Sequence, residues 1–396
     1  MNQLVWFRNN LRVADNTPLH AAQQNGGYVV AVYCFDPRQF GETAFGFPKT
    51  GAFRAQFLLE SVTDLQQELL KLNIPLLVFT KKPERILPQV VAALNIGHIY
   101  SQTEWTHEET QVSEAIRKVL PSTVVWNESY DQFLFHPDDI PYRDVANIPK
   151  VFTEFRKKCE RHSSVRNTLP KPLQQEQRKG RSFLNSFSTA IPTLADLGLE
   201  MPVRDPRTAF PFKGGATAGL ERVENYIWNT RHIATYKQTR NGLVGTEYSS
   251  KFSAWLANGC LSSRTIYWEI RQFEKEVQKN QDTYWMVFEL IWRDFFKYVS
   301  LKHGNALFKL GGILKKQYEW GSSAKNLQRW VQGQTTYPFV NANMNEIALT
   351  GWMSNRGRQN VASFWAKELQ QDWRMGASYF ESQLIDYDVH SNWGNW

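Results

Sequence analysis

The run Tyr28-Val29-Val30-Ala31-Val32-Tyr33-Cys34-Phe35 is continuously apolar and has the length of a buried β-strand. Other segments of strand length lie at Leu4–Phe7, Leu76–Phe79, His98–Ser101 and Val124–Trp126. Between strands, apolar residues recur every three or four positions, as on one face of a helix, at Phe53, Phe57, Leu58, Val62, Leu65, Leu69 and Leu72. This alternation predicts an α/β domain over residues 1–130, with a parallel, doubly wound sheet.

Ligands of such sheets bind at the carboxyl ends of the strands. We therefore expect the loops Asp36-Pro37-Arg38 and Ser101–Trp105 to border a binding site. The sequence contains neither G-x-G-x-x-G nor G-x-x-x-x-G-K-[ST]. Their absence argues against a dinucleotide or a nucleoside triphosphate in this half of the chain.

The pattern changes after residue 130. Prolines interrupt residues 131–216 without a sustained period, which predicts an inter-domain linker, at Pro137, Pro141, Pro149, Pro170, Pro172, Pro192, Pro202, Pro206 and Pro211. Residues 217–396 have helical spacing and predict an all-α domain. The segment Gln281–Gly304 places one stripe of side chains on a single helix face, namely Trp285, Phe288, Glu289, Trp292, Arg293 and Phe296.

Composition limits the class of protein. The 396 residues carry a formal charge of +8 and include 15 tryptophans, a combination that suits a polyanionic partner or a planar cofactor but also fits a solvated surface and an aromatic core. The three cysteines are far apart, which disfavours disulfides and a thiolate metal site. No apolar run reaches the length of a membrane span, and a strand-like segment follows the N-terminus directly, so we expect a cytoplasmic protein.

Polar residues in apolar surroundings mark candidate binding groups, because buried amides and charges are costly without partners. Four groups lie in residues 217–396: Tyr236 with Ser249-Ser250-Lys251-Phe252-Ser253; Glu289, Trp292 and Arg293; Asn355 and Arg358; and Asp386, Asp388 and Asn392. The hydroxyls and the lysine of the first group could hold phosphates, although Ser-Ser-Lys also caps ordinary helices. The second group could equally belong to a partly buried helix.

The carboxylates Asp386 and Asp388 leave two further interpretations open. Two carboxylates can serve a hydrolase, but these stand among arginines and tryptophans rather than around space for a water molecule. A metal site formed with His390 is the other alternative. Spacing by two residues is a poor arrangement of ligands on a helix, so we predict no metal.

Several longer motifs resemble those of the photolyase/cryptochrome family, and within it the DASH-type cryptochromes. The segment Val5-Trp6-Phe7-Arg8-Asn9-Asn10-Leu11-Arg12 is similar to the first strand and turn of the family. Three segments are similar to DASH-type members in particular: Phe45-Gly46-Phe47-Pro48-Lys49-Thr50-Gly51, Tyr236-Lys237-Gln238-Thr239-Arg240-Asn241-Gly242 and Met353–Asn360. The resemblance covers essentially the whole chain.

The resemblance implies a Rossmann-like antenna-binding domain, a long linker and a helical domain that holds FAD in a folded form. Tyr236 and Ser249–Ser253 would contact the diphosphate. The flavin ring and ribityl chain would be surrounded by Asn355, Arg358, Asp386, Asp388 and Asn392, with Glu289 and Arg293 also in contact with the cofactor. Arg358 could pair with Asp386, which would make the buried charge tolerable. The neutral Asn392 suits an anionic reduced flavin.

The activity implied is light-driven repair of cyclobutane pyrimidine dimers by electron transfer from excited reduced FAD. Glu289 would hydrogen-bond to the dimer and Trp292 would stack on it, and Gln359 supports the DASH-type assignment. The partner expected is single-stranded DNA, with RNA as a second possibility, and the protein is expected to be a monomer. Photoreduction would use a relay of Trp396, Trp373 and Trp320. Glu104 is the predicted contact of an antenna, 5,10-methenyltetrahydrofolate, between the domains.

Two other functions remain open at this stage. The chain could be a blue-light receptor or nucleic-acid-binding regulator that photoreduces flavin without repair, or a member that binds nucleic acid without flavin. The resemblance implies several tens of further residues beyond the position of Trp396. We therefore expect a helical domain truncated at its C-terminus, with weaker retention of FAD, without a second aromatic contact to the dimer and without a regulatory tail.

Overall fold

The first part of the chain folds around a parallel sheet. The computed structural model describes residues 1–176, 187 and 190–396. Its strands are β1 (Asn2–Phe7), β2 (Val29–Cys34), β3 (Leu76–Phe79), β4 (Ile96–Gln102) and β5 (Val125–Ser129), in the order β3-β2-β1-β4-β5. The intervening helices are α1 (Thr17–Gln24), α2 (Ala52–Lys71), α3 (Pro83–Leu94) and α4 (His107–Arg117). The predicted doubly wound sheet is confirmed, and its strand order reverses between β1 and β4.

Helices cover both faces of the sheet, because successive side chains of a strand point to opposite sides. On one face, Val5 and Phe7 of β1 pack in the core with residues of α1 and α2. On the other face, Leu4 and Trp6 pack with α3 and with Ile116 of α4. Both layers are apolar, which explains why the strands read as continuous apolar runs.

The segment predicted as a linker contains a helix and several buried aromatic residues. Helix α5 (Phe152–His162) places Phe152 and Phe155 in the core. The ring of Phe152 stacks on Trp292 with centroids 3.6 Å apart, and Phe155 lies 5.4 Å from Tyr298. Residues 177–186, 188 and 189 of the predicted linker lie outside the described residues. The proposed boundaries of the linker stay a prediction.

The remainder of the described chain is helical. Its helices are α6 (Ala216–Glu224), α7 (Tyr236–Thr239), α8 (Ser253–Ala257), α9 (Ser263–Glu276), α10 (Gln281–His303), α11 (Ala324–Val331), α12 (Pro338–Thr350), α13 (Asn355–Ser363), α14 (Trp373–Gln383) and α15 (Val389–Asn395). The long helix α10 begins with a capping box in which Asn280 accepts from the backbone of Thr283, and it ends before Gly304. Throughout the described ranges, no helix is long and apolar enough to cross a membrane.

A buried cluster of charges joins the sheet to the helical part. Asp131, which follows β5, accepts from Arg12 at 2.6 Å and from Arg264 of α9 at 3.2 Å. Arg264 also donates to Asp15 at 2.8 Å, and Ser262 donates to the same carboxylate. The four charged side chains are at most 7% exposed. Each charge has an opposite partner, which is the condition under which buried ions are tolerated.

Removing one partner of this cluster should destabilise the whole fold. We expect Arg264→Met to lower the free energy of unfolding by about 3–5 kcal/mol, because Asp15 is left buried without its cation. Urea denaturation followed by circular dichroism measures this change. As a matched control, Arg166→Met removes a solvent-facing pair with Asp139 and should cost no more than about 1 kcal/mol. Equal losses in the two variants would contradict the structural role of the cluster.

Candidate functional site

Arg358, which is partly buried, pairs with the buried Asp386. Ser354 caps α13 by accepting from the backbone of Gly357, which fixes the start of the helix that carries Arg358. Nη2 of Arg358 donates to both carboxylate oxygens of Asp386, at 2.9 and 3.0 Å. Asp386 is buried, while Asn355 at the start of the same helix is exposed. The pair offers a planar polar edge in otherwise apolar surroundings.

Among the predicted site residues, Lys251 has a buried amino group without a hydrogen-bond partner in the described part of the chain. Its side chain is 2% exposed, and its Nζ atom has no hydrogen-bond partner among the described residues. The ammonium lies 3.1 Å from the ring centroid of Tyr248. The pKa of Lys251 is lowered to about 6, chiefly by burial; Arg222 and Arg358 also lower it, while Glu346 and Asp386 raise it. Lys251 also has a φ of 65°, a strained value of the kind found at binding sites.

The loop around Lys251 is held by Arg222, which no sequence motif singles out. Arg222 of α6 is buried and donates to the carbonyl oxygens of Ser249 and Ser250, at 3.3 and 3.1 Å. The loop also places Phe252 in the core, and Ser253 begins α8 with an exposed side chain. The loop contributes the amino group of Lys251 and the hydroxyl of Ser250, and Tyr236 is buried, so these residues carry groups of the kind that bind a diphosphate. Glu346 and Asp386 are the carboxylates that act on the pKa of Lys251.

Glu289 on α10 is paired with Arg240, another residue without a predicted role. The two side chains are 2.8 Å apart. Burial raises the pKa of Glu289, and the charge of Arg240 opposes the rise. Arg240 lies one turn after Tyr236, so the motif that contains both was a signal for its importance.

The aromatic and basic neighbours of Glu289 have protein partners. Trp292 stacks on Phe152 and also on Phe296, the latter at 5.6 Å. Arg293 donates to the carbonyl oxygens of Gln132 and Leu256, at 2.6 and 3.0 Å. Arg293 thus connects α10 to two segments that precede it in the chain.

Asp388 is also held in an ion pair, with Lys297 of α10 at 2.9 Å. Burial alone would raise the pKa of Asp388, but Lys297, His390 and Arg293 hold it well below its usual value. The same carboxylate caps α15 by accepting from the backbone of Ser391. Asp386 and Asp388 each face their own cation, so neither is arranged as the protonated acid that a hydrolase needs. The structure places no metal-binding group of His, Cys, Asp and Glu within its described ranges.

The three predicted relay tryptophans have separate surroundings. Trp396 contacts Phe380 at 5.1 Å and Trp330 at 6.4 Å. Trp373 contacts Trp393 at 5.8 Å, and Trp320 contacts Tyr318 at the same distance. Among the residues that the structure describes, no direct ring contact joins the three to one another. Asn392, which lies between Asp388 and Trp396 in the sequence, donates to the carbonyl oxygen of Ala377 at 3.0 Å.

A cavity of about 830 Å³ lies between the sheet and the helical part. Both loops expected at the carboxyl ends of the strands contribute to it, through Asp36 and Arg38 after β2 and Glu104 after β4. The carboxylate of Glu104 accepts from Gln102 at 2.8 Å, and burial raises its pKa. Basic side chains in the wall are Arg8, Arg38, Lys49, Arg54, Arg293, Lys297 and Lys309.

Three buried polar atoms in the cavity wall lack a partner among the described residues. They are Oε1 of Gln102, Oδ1 of Asn258 and Nδ1 of His390. The imidazole of His390 stacks on Trp105 with centroids 4.5 Å apart. Buried polar atoms are normally paired, so the wall is suited to a polar ligand with hydrogen-bond donors.

Comparison with known proteins identifies matching families and structures. Residues 3–175 match the model for DNA photolyase, and residues 285–396 match the FAD binding domain of DNA photolyase. Cryptochrome DASH of Gloeobacter violaceus is 49% identical over 394 residues, which cover 99% of this chain and 78% of that protein. Cryptochrome DASH of Synechocystis is 47% identical, with 99% of this chain and 79% of that protein covered.

Solved structures agree with the sequence matches. The crystal structure of a Synechocystis cryptochrome superimposes with a TM-score of 0.94 at 46% identity, over 100% of this chain and 81% of that chain. An archaeal photolyase from Sulfolobus tokodaii, solved with two FAD molecules, gives a TM-score of 0.75 at 25% identity, over 100% of this chain and 82% of that chain.

Replacing the unpaired lysine should stabilise the protein in the absence of added ligand. At neutral pH we expect Lys251→Met to raise the free energy of unfolding by about 1–3 kcal/mol, since it removes a buried polar group without a partner. Lys213→Met, at an exposed lysine, is the matched control and should leave stability unchanged. Urea denaturation of the three proteins measures the effect, and a destabilised Lys251→Met would contradict it.

The gain should also depend on pH. The pKa of Lys251 is about 6 in the folded protein and 10.5 in the unfolded chain. Between these values the unfolded chain binds one proton more, so wild-type stability rises with pH through this window. The difference between Lys251→Met and the wild type should therefore shrink as the pH approaches 10.5. Burial raises the pKa of Glu346 to about 7 and the charge of Lys251 lowers it, so the two groups are coupled. The comparison is therefore made at pH values well above 7, where Glu346 is ionised in both proteins.

Proposed function

We propose that this chain, which belongs to the photolyase/cryptochrome family and is similar to curated cryptochrome DASH proteins, repairs cyclobutane pyrimidine dimers in light. The proposed enzyme class is a deoxyribodipyrimidine photo-lyase that prefers single-stranded DNA. The observation that carries the proposal is the buried, unpartnered amino group of Lys251, whose pKa Arg358 and Asp386 also affect and which regains its charge beside an anion. Such a group calls for an anionic cofactor.

The proposed cofactor is FAD, in keeping with the family match of residues 285–396. Lys251, Ser250 and Tyr236 would hold its diphosphate, the lysine through charge and the others through hydroxyl groups. Arg358 and Asp386 would face the polar edge of the flavin together with Asn355, Asp388 and Asn392. When bound and reduced, FAD supplies the light-driven electron that splits a dimer, and the protein sets distance and orientation.

Glu289 is proposed to bind the dimer from α10. Its burial and its pair with Arg240 keep an acidic group in a fixed place, where it can hydrogen-bond to a pyrimidine base. Trp292, already stacked on Phe152, would offer an aromatic edge or face to the same base. An unpaired, damaged base costs less to turn out of a strand than a paired one, which supports the preference for single-stranded DNA.

The net charge of +8 supports a nucleic-acid partner. RNA is a second proposed substrate class for binding, and we propose that the protein acts as a monomer in the cytoplasm. The chain spans 78% and 79% of the length of the two curated relatives described above.

We place the antenna in the 830 Å³ cavity. The proposed chromophore is 5,10-methenyltetrahydrofolate. Its pterin carries N–H donors, which the oxygens of Glu104, Gln102 and Asn258 can accept. Its negatively charged tail would pair with basic residues of the wall, which also carries the acidic residues Asp36, Glu42, Glu104, Glu108, Glu109, Glu381 and Asp388.

Repair is tested with FAD-loaded, reduced protein and a dimer-containing single-stranded oligonucleotide. We expect dimers to disappear in blue light and to persist in the dark. Glu289→Gln should slow repair by about tenfold or more, because one polar contact to the reacting base is weakened. The exposed Glu276→Gln is the matched control and should repair at the wild-type rate. Unchanged dimer content in the light, with flavin photoreduction intact, would contradict repair and favour the light-receptor alternative.

The antenna assignment is tested by absorption and folate binding. Glu104→Gln should reduce the content of bound 5,10-methenyltetrahydrofolate by about tenfold or more, because a charged acceptor for its N–H groups is lost from a buried place. The near-ultraviolet band of the folate should fall in proportion, while the FAD bands stay unchanged. Glu114→Gln, on the exposed face of α4, serves as control. Equal folate content in the two variants would place the antenna elsewhere.

A further inference from the structure

Trp393 connects the proposed relay to the wall of the cavity. Its ring lies 5.8 Å from the ring of Trp373 at an angle of 76°. Its indole Nε1 donates to Oε2 of Glu381 and to the hydroxyl oxygen of Tyr387, both at 3.2 Å. The same side chain lines the cavity. Trp393 therefore contacts both Trp373, a member of the proposed relay, and the carboxylate of Glu381.

Glu381 is placed to accept a proton. The side chain belongs to α14 and is buried, and its neighbours from other elements are Arg54 of α2, Lys49 of the preceding loop and Tyr387. Arg54 donates to the backbone carbonyl of Glu381 at 3.1 Å, which keeps the guanidinium beside the carboxylate. Burial raises the pKa of Glu381, while Arg54 and Lys49 lower it. Burial makes a carboxylate a stronger base than it is in water, and the hydrogen bond from Trp393 places the proton to be transferred in contact with Glu381.

We propose that Trp393 and Glu381 form a branch of the tryptophan relay that ends in a neutral indole radical. Oxidised Trp373 takes one electron from Trp393 and returns to its neutral form. The N–H proton of Trp393 passes to the carboxylate of Glu381, which becomes a carboxylic acid. Trp393 keeps one unpaired electron and no net charge. The oxidant is, by class, a photoexcited oxidised flavin acting through Trp396, so the branch rests on the function proposed above.

Loss of the N–H proton keeps Trp393 in its oxidised state. An oxidised indole is a strong acid at its N–H group, and a base already in hydrogen-bond contact removes the proton without rearrangement. The electron hole then cannot return without recovering the proton. Trp320 offers no comparable route, since its Nε1 has no hydrogen-bond partner within the described part of the chain. The ring contact of Trp373 also leads to Trp393 rather than to Trp320.

Laser-flash absorption of the FAD-loaded, oxidised protein tests the branch. In the wild type, the band of the indole radical cation should convert to that of the neutral radical, and the conversion should be slower in D₂O than in H₂O. Glu381→Gln should slow this conversion by about tenfold or more. Trp393→Phe should abolish it. Trp268→Phe, at a partly exposed tryptophan bonded to the carbonyl oxygen of Arg166, should behave as the wild type.

The outcomes separate the branch from the function on which it rests. If the oxidised flavin band does not bleach in the wild type, the relay itself fails and the branch with it. If the flavin is photoreduced but the neutral radical forms equally in Glu381→Gln and Trp393→Phe, the branch is overturned and the relay stands. Thermal melting checks that the variants fold. The isotope effect in the wild type needs no variant, and its absence would also overturn the proposal.

Discussion

The buried charges of Arg12, Asp15, Asp131 and Arg264 are the constraint on which the rest of the structure depends. Two of these residues follow strand β1, one follows β5, and Arg264 begins α9. Their mutual pairing fixes the edge of the sheet against the helical part, because each is too deeply buried to be solvated. The cavity at the carboxyl ends of the strands lies between these two parts and owes its shape to their docking.

The same rule of paired buried charges organises the site. Arg358 with Asp386, Lys297 with Asp388 and Arg240 with Glu289 are all satisfied within the protein. Lys251 is not, and the polar atoms of Gln102, Asn258 and His390 in the cavity are not. The satisfied pairs hold the helices in place, and the unsatisfied groups mark where ligands belong. On this reasoning we propose that FAD binds against Lys251 and that a second, polar chromophore binds in the cavity.

The sequence predicts the parts of the structure in which local pattern and burial coincide. Strand β2 is apolar along its whole length because both faces of the sheet are covered, and α10 shows its helical spacing directly. The partnership of Arg358 with Asp386 follows from the resemblance together with the cost of a buried charge. Arg222 and Trp393 could not be selected in this way, because their contacts join segments far apart in the chain. The prolines of residues 131–216 predict a linker and give no sign that Phe152 is buried, because its burial depends on a stack with the distant Trp292.

The central claim is that Lys251 is the anion-binding centre of an FAD site, and a titration of flavin-free protein with FAD tests it most directly. The account predicts saturable binding by the wild type, with proton uptake at pH values above about 6, because the bound diphosphate restores the charge of Lys251. It predicts binding weaker by about tenfold or more in Lys251→Met, the cost of one charged contact. Equal affinity in the two proteins, with no proton uptake by the wild type, would contradict it.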